Sequence, residues 1–301
     1  MMQVNLPHKK SVYPFHLFIR IVPGEKYTYD RQLTGGLPMK LSFCTTGSKK
    51  KHILDVISFA KEHSFDGIEL WYGHIKQYIK EIGPLDRLDQ QLQEEGIEVP
   101  AVSLYTDFVS QDERQALKDV QRALSAARQL HSPLIRVFAG NLASHRTSPE
   151  KWERAVDQFQ EAARLADSYE VDIGLEIHYD TYADTPEAAL AFLEDVGHPR
   201  VRIIFDGSNL HVNHIDQMTA LEKLYHTVSH IHLKNYHWNF DNWYLSKPVP
   251  VLQGDLQQEP LLNELMNRQY GGFVSLEYFG RHAEVHIKES LNEMKHCFHK
   301  K

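Results

Sequence analysis

VDIGLEIHYDT, residues 171–181, places Val171, Ile173, Leu175 and Ile177 at a spacing of two, the period of a buried β-strand. Glu176 sits inside this run and His178 follows two residues later, so both side chains share one face of the strand. A carboxylate buried without a counter-charge is costly, and Glu176 needs a cation, a hydrogen-bonding partner or water. For this stretch alone, a strand-end glutamate that reaches solvent is the simpler reading. Three later runs change the balance. VRIIFD (residues 201–206) closes on Asp206, VSHIHLK (228–234) alternates His230, His232 and Lys234, and GFVSLEYF (272–279) carries Glu277 near its end. Glu176, Asp206, His232 and Glu277 thus stand at the ends of successive β-like runs. Three carboxylates and one imidazole suit one divalent ion, Mn²⁺, Mg²⁺, Co²⁺ or Zn²⁺, better than they suit a thiolate-type site.

Around these runs the chain alternates strand and helix from residue 39 onward. Strands are expected at residues 39–45, 65–72, 99–106, 133–140, 171–177, 201–206, 228–233 and 273–277. Between them lie amphipathic helices, at residues 49–64 for example, where Ile53, Val56, Ile57 and Ala60 share a face. Ser110 with Glu113 fits a capping box, and Ser148–Pro149 and Thr185–Pro186 read as an N-cap followed by proline in the first turn. Eight such units, of roughly 30 residues each, predict a single (β/α)8 TIM barrel with a short N-terminal extension. A doubly wound open sheet is the competitor. It would usually carry a Gly-rich phosphate loop after its first strand, where this chain reads CTTGSKKK, with one glycine. An open sheet also lays strand ends along a line, where one ion cannot reach four of them; a barrel gathers them around one mouth.

Composition restricts the partners. The 301 residues carry a net charge of −7, which argues against nucleic acid as a ligand. Two cysteines, Cys44 and Cys297, cannot build a disulfide framework and fit a reducing, cytoplasmic setting. No run has the ~18 apolar residues of a membrane span. Residues 1–38 have no clear period and read as an N-terminal arm, poorly ordered or packed outside the domain, or as sequence upstream of a start at Met39. A small-molecule partner is expected, and homo-oligomerisation is compatible with the sequence.

The order LEIH (Glu176), FDGSN (Asp206), HIHLK (His232) and GGFVSLEYF (Glu277), with PVLQGDL before the last helix and strand, resembles the xylose isomerase-like TIM-barrel superfamily, also called AP endonuclease family 2. The sugar phosphate isomerase/epimerase group within it is the nearest match, and the resemblance runs from about Met39 to the end of the chain. It implies that Glu176, Asp206, His232 and Glu277 hold one divalent ion, and that Glu176 and Glu277 are the acid/base pair of a sugar or polyol isomerase/epimerase. The chemistry agrees: a divalent ion polarises a carbonyl and stabilises the enediolate formed when a neighbouring proton leaves, and two carboxylates on opposite sides of the substrate can exchange that proton. A keto-inositol (inosose) dehydratase needs the same metal and the same proton removal, followed by loss of a hydroxyl. An endonuclease IV-like repair enzyme needs three metals and a basic groove, which Asn209 in place of a histidine and the acidic balance disfavour. A sugar-binding protein without catalysis is a further alternative.

The remaining candidates for the pocket are His178, Asn209, Lys234, Glu69, Trp71 and Arg136. Each lies at or near a strand end, and each has a bland counterpart as a packed or solvated residue. Lys234 suits a hydroxyl, carboxylate or phosphate, and Asn209 a sugar hydroxyl. Trp238, Phe240, Trp243 and Tyr244, in the loop at residues 235–255, are expected to cover a sugar face or to anchor the loop to the rim. No phosphate loop is evident, which favours an unphosphorylated sugar or polyol.

Overall fold

The computed structural model describes residues 39–109, 112–242 and 245–298. The arm at residues 1–38, Ser110, Trp243 and Tyr244 lie outside these. Eight parallel strands close into a barrel: β1 (Lys40–Cys44), β2 (Gly67–Trp71), β3 (Val102–Ser103), β4 (Leu134–Val137), β5 (Asp172–Glu176), β6 (Val201–Asp206), β7 (Val228–Leu233) and the last strand, β10 (Phe273–Leu276). Each pairs with its sequence neighbours, and β1 pairs with both β2 and β10. That seam distinguishes the barrel from an open sheet. A small antiparallel hairpin, β8 (Asn235–His237) with β9 (Lys247–Val249), projects after β7. It is a structured part of what the sequence suggests is only a long loop.

The helices follow caps set by local sequence. Helix α1 spans Ile53–Glu62 and starts later than expected, because a 3-10 turn occupies Thr45–Ser48 and His52 caps the helix by accepting from Leu54 N. After β2 the chain forms two helices, α2 (Tyr72–Glu81) and α3 (Leu85–Glu95), divided at Gly83, whose φ is +142°, and at Pro84. Proline cannot continue the donor ladder, so the helix restarts there. Helix α4 (Glu113–Gln129) is capped by Asp112, which accepts from Gln115 N. Helices α5 (Pro149–Tyr169) and α6 (Pro186–Val196) have the expected Ser148 and Thr185 caps with proline in the first turn. The sequence suggests a helix at residues 214–226, where α8 (Gln217–Leu224), capped by Asp216, lies; a further short helix, α7 (Gly207–Val212), capped by Asp206, precedes it. Helices α9 (Gln258–Asn267) and α10 (Ala283–Phe298) complete the ring. Among the described residues, no helix is long and apolar enough to cross a membrane.

Alternation splits each strand between two environments. Outward residues such as Phe43, which packs edge-on to Phe59 and Phe65, join the continuous core between barrel and helices. Inside the barrel, Ala101, Leu134 and Ile204 form a separate apolar cluster. Gly174 makes room for it, since a Cβ there would lie 2.6 Å from Ile204 Cδ1. Beyond this apolar layer, toward the C-terminal strand ends, the interior turns polar. Ser42, Glu69, Ser103, Arg136, Glu176, Asp206, His230, His232, Ser275 and Glu277 are all buried. A cluster of fully buried charge at the C-terminal strand ends marks that end as the working face.

Candidate metal centre

Glu176 ends β5 and Asp206 ends β6; His232 lies in β7, opposite Asp206 in register, and Glu277 follows β10 directly. One potential ligand atom from each of these four residues lies within 4.8 Å of the others. His232 Nδ1 is 3.6 Å from Glu176 Oε1 and 3.9 Å from Glu277 Oε2. These gaps are too long for hydrogen bonds. They suit donors arranged around an ion at metal–ligand distances of about 2.0–2.2 Å.

Two observations test whether such an ion fits. The first is unmet hydrogen-bonding capacity: His232 Nδ1, Asp206 Oδ2 and Glu277 Oε1 are buried without hydrogen-bond partners. Lys234 Nζ does lie 2.7 Å from Asp206 Oδ2, but this is a charge contact off the hydrogen-bonding direction. Groups buried in this way normally find partners. The second is charge. Glu69, Glu176, Asp206 and Glu277 bring four carboxylates into one buried region, against the permanent cations Arg136 and Lys234. The difference is the charge of one divalent ion, with His232 left neutral to donate a lone pair. The residues fit the ion.

The neighbours divide the labour. Arg136 Nη1 donates to Glu176 Oε2, and Asn209 Nδ2 donates to Glu176 Oε1 at 3.2 Å and to Ile177 O at 3.0 Å. Burial would raise the Glu176 carboxyl, but the Arg136 guanidinium outweighs it and holds it well below the ordinary carboxylate range. Burial pushes the Asp206 carboxyl up, with Lys234 pulling against it. Lys234 Nζ donates to Glu277 Oε2 at 2.6 Å. Burial disfavours its charge, yet Asp206 and Glu277 keep the ammonium well above the ordinary lysine range. Cys44 Sγ is 3.8 Å from His232 Nε2. Burial pushes its thiol up, so it stays a neutral neighbour instead of a thiolate ligand.

The structure brings Arg136 and Lys234 into the centre, as expected of pocket residues. Asn209 is 2% exposed and braces Glu176, with its amide donor committed there. Glu69, fully buried, lies behind His232: its Oε2 is 2.7 Å from His232 Nε2 and 3.1 Å from His230 Nε2, and its Oε1 accepts from Ser103. No surface of Glu69 is left for substrate. His178 stands half-buried at the rim, stacked on Tyr179 and edge-on to Phe138. Its Nδ1 is 2.6 Å from Tyr179 O and donates to it, because a carbonyl only accepts, which leaves Nε2 as the ring nitrogen able to take up or release a proton. Trp71 is also half-buried at the rim, with Lys49 Nζ 5.0 Å from its ring centroid. Trp238 and Phe240 pack against His211, and Phe240 also against His214, which anchors the hairpin to the α7 segment. The sequence reading assigned no role to His230, Ser42, Ser103, Ser275 or Tyr105. The alternation of His230 with His232 carried a signal for the first; the serines carried none.

Comparisons with known proteins place this fold in a family. A 3-dehydroshikimate dehydratase from Bacillus anthracis is 26% identical over 270 residues, 84% of this chain and 95% of the relative. The crystal structure of a probable 3-dehydroshikimate dehydratase of petrobactin synthesis from the same organism superposes with a TM-score of 0.79 at 25% identity, covering 85% of this chain and 99% of that one. At the level of fold, an IOLI protein with a bound zinc atom (TM-score 0.71, 19% identity, 87% of this chain and 99% of that one) and an L-ribulose 3-epimerase (0.70, 15%, 87% and 95%) share the architecture. Those of these proteins that are named for an activity are dehydratases and an epimerase. Residues 57–297 match the family described as xylose isomerase-like TIM barrel, and this chain belongs to that family.

Proposed function

We propose that this protein is a divalent-metal-dependent enzyme that moves a proton next to a carbonyl of a polyhydroxylated substrate, and that it completes the reaction as a dehydratase. The observation that carries the first part is the buried cluster of Glu176, Asp206, His232 and Glu277, in which His232 Nδ1, Asp206 Oδ2 and Glu277 Oε1 make no hydrogen bond. When bound there, a divalent ion supplies Lewis-acid polarisation of the substrate carbonyl. Both Glu176 oxygens are already held by Arg136 and Asn209, which makes it a fixed ligand and a poor proton acceptor. Glu277 Oε1 accepts no hydrogen bond, its nearest cation being Arg136 Nη1 at 3.9 Å, while Lys234 holds Oε2, so Glu277 takes the proton. At the rim, His178 Nε2 is the second group able to exchange a proton. This separates the roles of two glutamates that the sequence treats as an equivalent pair.

The dehydratase reading rests on the relative that matches along nearly its whole length, whose name denotes a carboxylated cyclic hydroxyketone as substrate. Arg136 supports it from within the chain: its Nη2 is buried without a partner, and its guanidinium lies 4.6 Å from the Tyr105 ring centroid and 5.0 Å from that of Phe138. A fixed, partly unpaired guanidinium recognises a carboxylate. The isomerase/epimerase reading keeps the same metal and base and differs only in whether a hydroxyl leaves, so the product decides between them. The test is to incubate the Mn²⁺-loaded protein with 3-dehydroshikimate, with an inosose and with ketohexoses, and to identify products by mass spectrometry. Loss of water from 3-dehydroshikimate, giving an aromatic product and abolished in Glu277→Gln, is the expected result. Isomerised ketoses of unchanged mass would replace the dehydratase reading, and turnover undiminished in Glu277→Gln would remove the proposed base.

A further inference from the structure

His232 belongs to two acid–histidine clusters at once, and the two differ in kind. On its Nδ1 side stand Glu176, Asp206 and Glu277, with buried atoms left unpartnered. On its Nε2 side stand Glu69 and His230, where the facing atoms satisfy each other. Glu69 Oε2 is 2.7 Å from His232 Nε2 and 3.1 Å from His230 Nε2. Glu69 Oε1 accepts from Ser103 Oγ, and Arg136 Nε lies 3.4 Å from it. His230 Nε2 is also 3.0 Å from Ser275 Oγ, which is 2.5 Å from Ser42 Oγ. The second cluster is complete without an ion.

We infer that Glu69 is the positioning residue of the metal centre: it holds His232 by Nε2–H, so that the Nδ1 lone pair faces the ion. A neutral imidazole has one N–H and one lone pair, and an ionised carboxylate only accepts. The 2.7 Å contact therefore puts the proton on Nε2. Buried carboxylates that accept from a ligating histidine fix its tautomer and ring plane and raise its donor strength. Glu69 is itself immobilised by Ser103 and His230, and His230 by the Ser275–Ser42 pair. The orientation of one ligand on β7 is thus set by a relay through β2, β3, β10 and β1. Full burial and committed oxygens also explain why Glu69 is not a substrate contact.

This inference rests on the metal reading of the site, and the experiment separates the two. Mn²⁺ binding is measured by calorimetry at fixed pH for the wild type, Glu69→Met, Glu69→Gln and Ser103→Ala. In the zinc-loaded proteins, the His232 Nε2–H is followed by proton–nitrogen NMR. The expected result is a loss of about 10–100-fold in Mn²⁺ affinity for Glu69→Met, with the Nε2–H signal lost to exchange. Glu69→Gln, which keeps a carbonyl acceptor, should recover most of the affinity and the signal. A folded Glu69→Met that binds Mn²⁺ as tightly as the wild type overturns the inference and leaves the metal centre standing. If Glu69→Met does not fold, Ser103→Ala decides: it frees Glu69 Oε1, and unchanged affinity together with an unchanged Nε2–H signal overturns the inference. A wild type that binds neither Mn²⁺ nor Zn²⁺ overturns the metal reading and this inference together.

Discussion

Replacing Lys234 by methionine tests the charge balance of the centre most directly. Its ammonium is 2.6 Å from Glu277 Oε2 and 2.7 Å from Asp206 Oδ2, and the residue is 5% exposed. Methionine keeps the volume of the chain and removes the cation that bridges those two carboxylates, leaving Glu277 only the longer contact of its Oε1 with Arg136 Nη1 at 3.9 Å. Breaking a buried ion pair from one side costs about 3–5 kcal/mol, because the other charge stays buried without compensation. At roughly 2–4 °C per kcal/mol for a domain of this size, the metal-free variant should melt about 6–20 °C below the metal-free wild type. A divalent ion restores the missing positive charge at the same carboxylates. Mn²⁺ should therefore raise the melting temperature of Lys234→Met by more than it raises that of the wild type, for which an ion at 100 times its Kd adds about 2.7 kcal/mol. The assay is thermal unfolding in chelator and again in Mn²⁺, for both proteins. Equal melting temperatures in chelator, or an equal metal response, would refute the electrostatic account of the centre.

Two further outcomes follow from the packing and the buried histidines. Gly174→Ala would put a Cβ 2.6 Å from Ile204 Cδ1 and 3.1 Å from Leu134 Cδ2, overpacking the apolar layer at a cost of about 1–3 kcal/mol. Denaturant titration of the double variant with Ile204→Ala should show less than the sum of the single losses, and strict additivity would contradict the contact. His74 is fully buried between Thr45 Oγ1 (3.0 Å from Nδ1) and Ser48 O (3.3 Å from Nε2), and burial lowers its pKa. Its folded value lies below the unfolded value of about 6.5, so the unfolded chain binds more protons between the two. The stability from neutral His74 is complete above pH ~6.5 and is lost as the pH falls through that window, at no more than about 1.4 kcal/mol per pH unit. His74→Gln should flatten the decline measured by denaturant titration across this range. Part of the slope should persist, because burial lowers His230 in the same direction; an unchanged slope would show that His74 does not titrate there.

How much of this was legible beforehand depends on the range of the interaction. Strand alternation, the Ser148 and Thr185 caps and the strand-end positions of Glu176, Asp206, His232 and Glu277 are local: each is written in a few consecutive side chains with a fixed period, and the structure places these residues at those caps and strand ends. The early end of the expected third strand is less local. Only Val102 and Ser103 form ladder pairs, while the backbone continues through Leu104 N to Arg136 O and Phe138 N to Thr106 O. What tertiary structure alone decided is which inward residues meet across the barrel. Glu69 and His232 are 163 positions apart, and Ser42 and Ser275 are 233 apart; closure of β1 onto β10 brings these residues within reach. Asn209 and Glu69, alike in sequence as polar residues near strand ends, turn out to be committed to Glu176 and to His230 and His232, neighbours no local pattern announces. Periodicity tells which face of a strand a residue occupies; register and closure determine what stands opposite it, and in a buried, low-dielectric interior the opposite partner determines its charge, its tautomer and its chemistry.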